Sequence, residues 1–126
     1  MTKDNPSQLF KENNIQQLTS DHFKNGKFKL KSNHIIMIYA DWCGACQRDK
    51  KRFVDISMCL PSYTFAVVDG SDDNPILDHF KDFNSYPSYY KFDYYIKNGK
   101  NKYKIKKLES ISDIERLLSN NSCILQ

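Results

Sequence analysis

The segment HIIMIYA, His34 to Ala40, is a continuous apolar run of strand length and β-branched character, the pattern of a strand buried on both faces. Strands of that kind belong to a sheet covered by helices. This one runs directly into DWCGACQRDK, Asp41 to Lys50, where Cys43 and Cys46 stand three positions apart behind Trp42. Any reading of the chain has to explain that pair at the end of that strand.

The rest of the chain fits one α/β domain. At 126 residues and 14.8 kDa it has the size to bury a single core. We expect a flexible segment over residues 1–10, which is polar and carries Pro6, a domain over 11–120 and a tail over 121–126. NNIQQLTSDHF reads as a short strand, then a helical turn capped by Thr19 or Ser20 with Phe23 packing inward. From Gly44 to about Leu60, a stripe of Phe53, Ile56, Met58 and Leu60 predicts a helix that Pro61 stops. YTFAVVD is a second buried strand, and Asp73 or Asn74 caps a helix over PILDHFKDF with Pro75 at its first position. NSYPSYYKF resumes extended structure. NGK, Asn98 to Lys100, is a hairpin turn signal, and SISDIERLLSNN is a last helix with Ile111, Ile114, Leu117 and Leu118 on one face. The order β-α-β-α-β-α-β-β-α predicts an α/β sandwich with a mixed sheet, without a repeat or second domain.

Several function classes are disfavoured by composition. The opening MTKDNPSQLFKENNIQQ has no apolar core fit for a signal peptide, and no window approaches the roughly 20 apolar residues of a membrane span. An intracellular, cytoplasmic location is the expectation. Four cysteines are too few for a disulfide-stapled secreted scaffold, which points to a reducing compartment. The net charge of +4 is spread along the chain without a nucleic-acid-binding motif, so the lysines read as a solvated surface and no nucleic-acid partner is expected.

Three roles are open to Cys43 and Cys46. A zinc site needs about four ligands, yet Cys59 and Cys123 are single and His22, His34 and His79 form no spaced pair. A structural disulfide across so small a loop removes little unfolded-state entropy. Redox chemistry fits better. If a helix starts just after Trp42, its dipole and free backbone amides favour a thiolate at Cys43, while Cys46 lies one turn further in as the resolving thiol. Gly44 leaves room for an incoming chain. No bound metal or cofactor is called for.

A buried strand running into WCGAC, the pair Tyr86-Pro87 opening a later strand, an Asn-Gly hairpin and a closing amphipathic helix together resemble the thioredoxin family over roughly Ile15 to Asn120. The resemblance implies a thioredoxin-like three-layer sandwich, a central mixed β-sheet flanked by helices. It implies that Pro87 is cis and lies against the cysteines, and that the backbone of Tyr86 pairs with substrate. Trp42, Gly44 and Ala45 then line the substrate-binding surface. The chain departs from the family at three positions. Ala45 stands where thioredoxins usually carry Pro, Met37 where a buried Asp or Glu relays a proton to the resolving thiol, and Phe65 where a Lys partner is common.

The leading expectation is a thiol-disulfide oxidoreductase that acts on protein disulfides through Cys43 and Cys46. Its reductant would be a thioredoxin reductase or a glutathione system, and reduction is favoured over isomerisation or oxidation. The alternative is a non-enzymatic interaction or assembly module on the same fold. Among the remaining residues, Trp42 is read as surface in preference to core and Asp41 as an exposed loop carboxylate. The basic run Arg48 to Arg52 is read as a solvated face, and Cys59 as a small core or helix-end hydrophobe. In KYKIK, Lys102 to Lys106, Tyr103 and Ile105 point inward and the lysines guard a sheet edge. The chain ends Cys123-Ile-Leu-Gln, which has the form of a farnesylation signal and would give weak membrane attachment only where Cys123 is prenylated.

Overall fold

The computed structural model describes residues 5–71 and 74–118. Its elements run α1 (Pro6–Glu12), β1 (Gln16–Gln17), β2 (Phe23–Lys24), β3 (Lys27–Phe28), β4 (His34–Tyr39), α2 (Gly44–Ser57), β5 (Thr64–Asp69), β6 (Ser88–Lys97), β7 (Lys100–Leu108) and α3 (Ile111–Glu115). Short 3-10 turns lie at Ser20–His22, Pro75–His79 and Arg116–Leu118. The main sheet has the order β1-β5-β4-β6-β7, so β4 sits at its centre. β4 and β5 are parallel, as are β1 and β5, while β6 runs antiparallel to both β4 and β7. The sheet is mixed, as expected from the order of the elements. A central strand with both faces covered explains why HIIMIY is apolar at every position after His34 and buried throughout.

The two faces of β4 feed two separate cores. Ile35, Met37 and Tyr39 join Phe10 of α1, Phe53, Val54 and Ile56 of α2, and Ile111 and Ile114 of α3. Ile36 and Ile38 point the other way, toward Leu18, Phe28, Ile76, Phe80 and Phe92. The period of two along the strand thus divides one apolar run between two layers. The fold is the three-layer sandwich that the resemblance implies, with a lighter cover on the second face. There the expected helix over PILDHFKDF is a 3-10 turn, Pro75–His79, capped by Asn74 as read from the sequence. Phe80 leaves the turn to pack against Phe28 and Tyr90, with centroids 5.1 and 5.0 Å away, and Asp82 adopts a left-handed φ of 64° that ends helical geometry.

Three further differences have local causes. The segment expected to fray forms α1, because the Asn5 side chain accepts from the Gln8 amide and Pro6 sits at the first helical position. Phe10 then anchors the helix edge-on to Tyr39 and Phe53, at 5.0 and 5.9 Å. A small hairpin, β2–β3, turns at Asn25-Gly26, where both residues have positive φ. This is the same signal that was read at Asn98-Gly99. Helix α2 ends at Ser57, so Met58 leaves the predicted stripe and is 69% exposed, while Phe53 and Ile56 stay buried. Tyr103 and Ile105 are half-buried between exposed Lys102, Lys104 and Lys106 on β7, an edge strand as read from the sequence.

Candidate functional site

Strand β4 delivers the chain to the motif, and the motif starts α2. Cys43 is the N-cap of α2 with extended backbone, its amide donating to the Ala40 carbonyl at 3.1 Å. Its sulfur accepts from the Cys46 amide at 3.2 Å, so Cys43 takes one of the orphan donors of the helix N-terminus. Cys43 is 7% exposed and Cys46 0%, and both are free thiols. Burial pushes the Cys46 thiol up to about 12, reinforced by its hydrogen bond with Cys43 and the nearby Asp49 charge, with a backbone hydrogen bond at Ala40 acting the other way.

The loop before β6 faces the pair. The Tyr86-Pro87 peptide is cis, as the resemblance implies, and Cys43 Sγ donates to the Tyr86 carbonyl at 3.6 Å. Trp42 is 70% exposed and stands edge-on to the Tyr86 ring at 5.3 Å, so it is surface rather than core. Gly44 is open, with nothing within 4 Å of where a Cβ would lie, and Ala45 is half-buried against the core on the α2 side. The structure therefore brings Trp42, Cys43, Cys46, Tyr86 and Pro87 to one place, with Gly44 and Ala45 on the adjoining first turn.

Sequence reasoning missed what seats Tyr86. Its ring packs on Phe83 at 5.3 Å and its hydroxyl donates to the Gly70 carbonyl at 3.0 Å. A Cβ on Gly70 would meet that ring at 2.5 Å, a separation that side chains do not tolerate. Gly70→Ala is therefore expected to displace Tyr86 and alter the emission of Trp42, the single tryptophan of the chain. An unchanged fluorescence spectrum in a folded Gly70→Ala protein would refute this placement.

Asp41 is another correction. Rather than an exposed loop carboxylate, it is half-buried and accepts from the Ser7 amide and hydroxyl, each at 3.0 Å. Its amide donates to Ser71 Oγ at 2.9 Å and its carbonyl accepts from Gln47 Nε2 at 3.3 Å. The N-terminus of α1 is thus tied to the loop that carries the cysteines. The basic run after the motif is a solvated face with local partners: Lys50 donates to Gln47, Lys51 pairs with Asp55, and Arg52 pairs with Glu115 of α3. Cys59 is buried beyond the end of α2 but is disulfide-bonded rather than a simple hydrophobe. Cys123 and its prenylation signal lie outside the described residues.

Behind Cys46, β4 and β5 offer no ionisable group at the two departing positions, since Met37 and Phe65 are both buried apolar side chains. A carboxylate that acts on Cys46 comes from α2 itself. Asp49 follows Cys46 by one helical turn and accepts from the Tyr89 hydroxyl at 2.8 Å. Burial and this carboxylate hold the Tyr89 phenol well above its usual range. Among the described residues, no three His, Cys, Asp or Glu side chains gather into a metal site. No described helix is long and apolar enough to cross a membrane.

A dithiol at a helix N-terminus, set against a cis-proline loop on a mixed five-stranded sheet, defines a thioredoxin-like α/β protein. The thioredoxin family model matches residues 14–120, and the chain belongs to the thioredoxin family. Among solved structures, mitochondrial thioredoxin 3 from Saccharomyces cerevisiae in its oxidised form is 21% identical with a TM-score of 0.59, the match covering 85% of this chain and 95% of that one. Thioredoxin f2 from Chlamydomonas reinhardtii is 17% identical with a TM-score of 0.56, covering 84% and 94%. ERdj5 form II is 20% identical with a TM-score of 0.65 over 83% of this chain, which spans only 14% of that protein. At these identities the likeness is one of fold. No curated protein sequence matches the chain.

Proposed function

We propose that the protein is a thiol-disulfide oxidoreductase acting on protein disulfides, with Cys43 as nucleophile and Cys46 as resolving thiol. The observation that carries this reading is the placement of Cys43 Sγ on the Cys46 amide in the first turn of α2, 3.6 Å from the Tyr86 carbonyl and beside buried Cys46. The Cys43 thiolate attacks one sulfur of a substrate disulfide, forming a mixed disulfide and releasing the other sulfur as a thiolate. Cys46, deprotonated, then attacks Cys43 Sγ. The Cys43–Cys46 bond forms, the bond to substrate breaks, and the substrate leaves reduced by two electrons.

The Tyr86 backbone and the exposed Trp42 ring would hold the extended substrate segment, with Gly44 and Ala45 forming the floor of the approach. A thioredoxin reductase or a glutathione system would regenerate the dithiol. Reduction is the favoured direction. Titration of Cys43 and Cys46 in defined thiol buffers, read by differential alkylation, tests both activity and direction. A reversible couple near about −270 mV supports a reductase, and one near about −180 to −120 mV an isomerase or oxidase. A pair that does not cycle sinks the enzyme reading.

One observation favours a second reading. Met37 and Phe65 leave the family's proton relay unfilled, while β6 and β7 extend into a hairpin that exposes Ile96 and Tyr95 near its tip. A non-enzymatic binding or assembly module would need that surface and not the thiols. Retained partner binding with full biological function in Cys43→Ser would favour it.

A further inference from the structure

We infer that the Asp49 carboxylate takes the proton from Cys46 when Cys46 resolves the mixed disulfide, and that Tyr89 is the positioning residue that holds Asp49 for this step. The inference rests on the exchange chemistry proposed above and supplies the group that Met37 does not.

The geometry comes from three elements. Cys46 is fully buried near the start of α2. Asp49 lies three residues further along the same helix, so the two side chains share a face with Cβ atoms about 5–6 Å apart. Tyr89 reaches across from β6, where it stands opposite Met37 of β4, and its hydroxyl donates to Asp49 Oδ2 at 2.8 Å. Asp49 retains lone pairs for a second hydrogen bond, directly or through one water. It is half-buried and so keeps access to solvent. Among the described residues, the other charged or titratable groups acting on this cluster are Cys43 at the head of α2 and Arg52 one turn beyond Asp49, and Arg52 is paired with Glu115 of α3.

Transfer to Asp49 conserves the charge of the site, and its alternative does not. Loss of the Cys46 proton to bulk water would leave a thiolate and a carboxylate together in a largely apolar site, where burial already pushes the thiol up to about 12. Transfer to Asp49 moves one negative charge from oxygen to sulfur without adding a second. The S–H bond of Cys46 breaks, an O–H bond forms on Asp49, and the thiolate attacks Cys43 Sγ. The Cys43–Cys46 bond forms as the substrate sulfur departs with its electron pair. Asp49 then returns the proton to that sulfur or to water.

A fixed charge and a proton acceptor predict opposite signs for Asp49→Asn. If Asp49 acted only through its charge, the amide would ease ionisation of Cys46 and resolution would quicken. As proton acceptor its loss slows resolution, on the order of 100-fold at neutral pH. The experiment mixes reduced protein with dithiobis-nitrobenzoate, quenches in acid, and follows the Cys43 adduct by mass spectrometry as it forms and then gives way to the Cys43–Cys46 disulfide.

Adduct formation is expected to be unchanged in Asp49→Asn, and circular dichroism checks that the variant is folded. Adduct loss is expected to slow and to climb about tenfold per pH unit, as unassisted thiol ionisation requires. Asp49→Glu should restore most of the rate, and Tyr89→Phe should slow adduct loss by a smaller factor. Normal adduct formation with unchanged or faster loss in Asp49→Asn overturns this inference alone. If the wild-type protein forms no adduct, or never resolves it, the exchange reading falls and takes the inference with it.

Discussion

Cys46→Ser is expected to leave the protein covalently joined to its substrates through Cys43, giving reductant-sensitive adducts that persist after denaturation. Cys43→Ser should form none and should lower disulfide reduction to the uncatalysed background. The asymmetry follows from placement. Cys43 caps α2 and faces the Tyr86 carbonyl, whereas Cys46 is sealed behind it with its thiol pushed up to about 12. Only the outer sulfur can meet a bulky disulfide, and only the inner one can then displace it. Adducts formed equally by both variants, separated on non-reducing gels and identified by mass spectrometry, would overturn the assignment of roles.

Phe53→Ala is expected to cost about 3–5 kcal/mol of folding stability, a large share of the roughly 5–15 kcal/mol of a domain of this kind. Phe53 is fully buried and its ring meets Phe10, Phe65 and Tyr89, with centroids 5.9, 5.1 and 6.2 Å away. It thereby joins α1 and α2 to β5 and β6, so truncation opens a cavity that no single element can fill by shifting. Urea unfolding followed by circular dichroism measures the loss. A midpoint within error of the wild type would mean that the α2 face is not packed as described.

The same residues show why parts of the fold were legible and others were not. β4 could be read because both of its faces are buried, so its apolar character survives without alternation. The start of α2, the Asn74 cap and the Asn98-Gly99 turn could be read because each is fixed by a local backbone requirement. The helix α1 is too short for a periodic stripe, and its one deeply buried ring, Phe10, gains its meaning only from Tyr39 and Phe53. The turn at Pro75–His79 carries the cap of an α-helix, but packing of Phe80 against distant strands ends it early.

The site divides in the same way. Trp42, Cys43 and Cys46 are close in sequence, and Tyr86-Pro87 was found by its resemblance to a motif. Gly70 and Asp49 were missed because their partners lie 16 and 40 positions away. For Asp49 a signal was present, an acid one helical turn beyond the second cysteine on the same face.

The contact between Cys43 and Tyr86 joins positions 43 residues apart, and the cysteine comes first. During synthesis at about 5–20 residues per second, the thiols would therefore emerge several seconds before the loop that roofs them. Through that interval the nascent chain carries a dithiol with no groove to select what it meets. On the exchange reading proposed above, selectivity for a partner would begin only when β6 docks beside β4, so the protein would acquire its reactive groups before its discrimination.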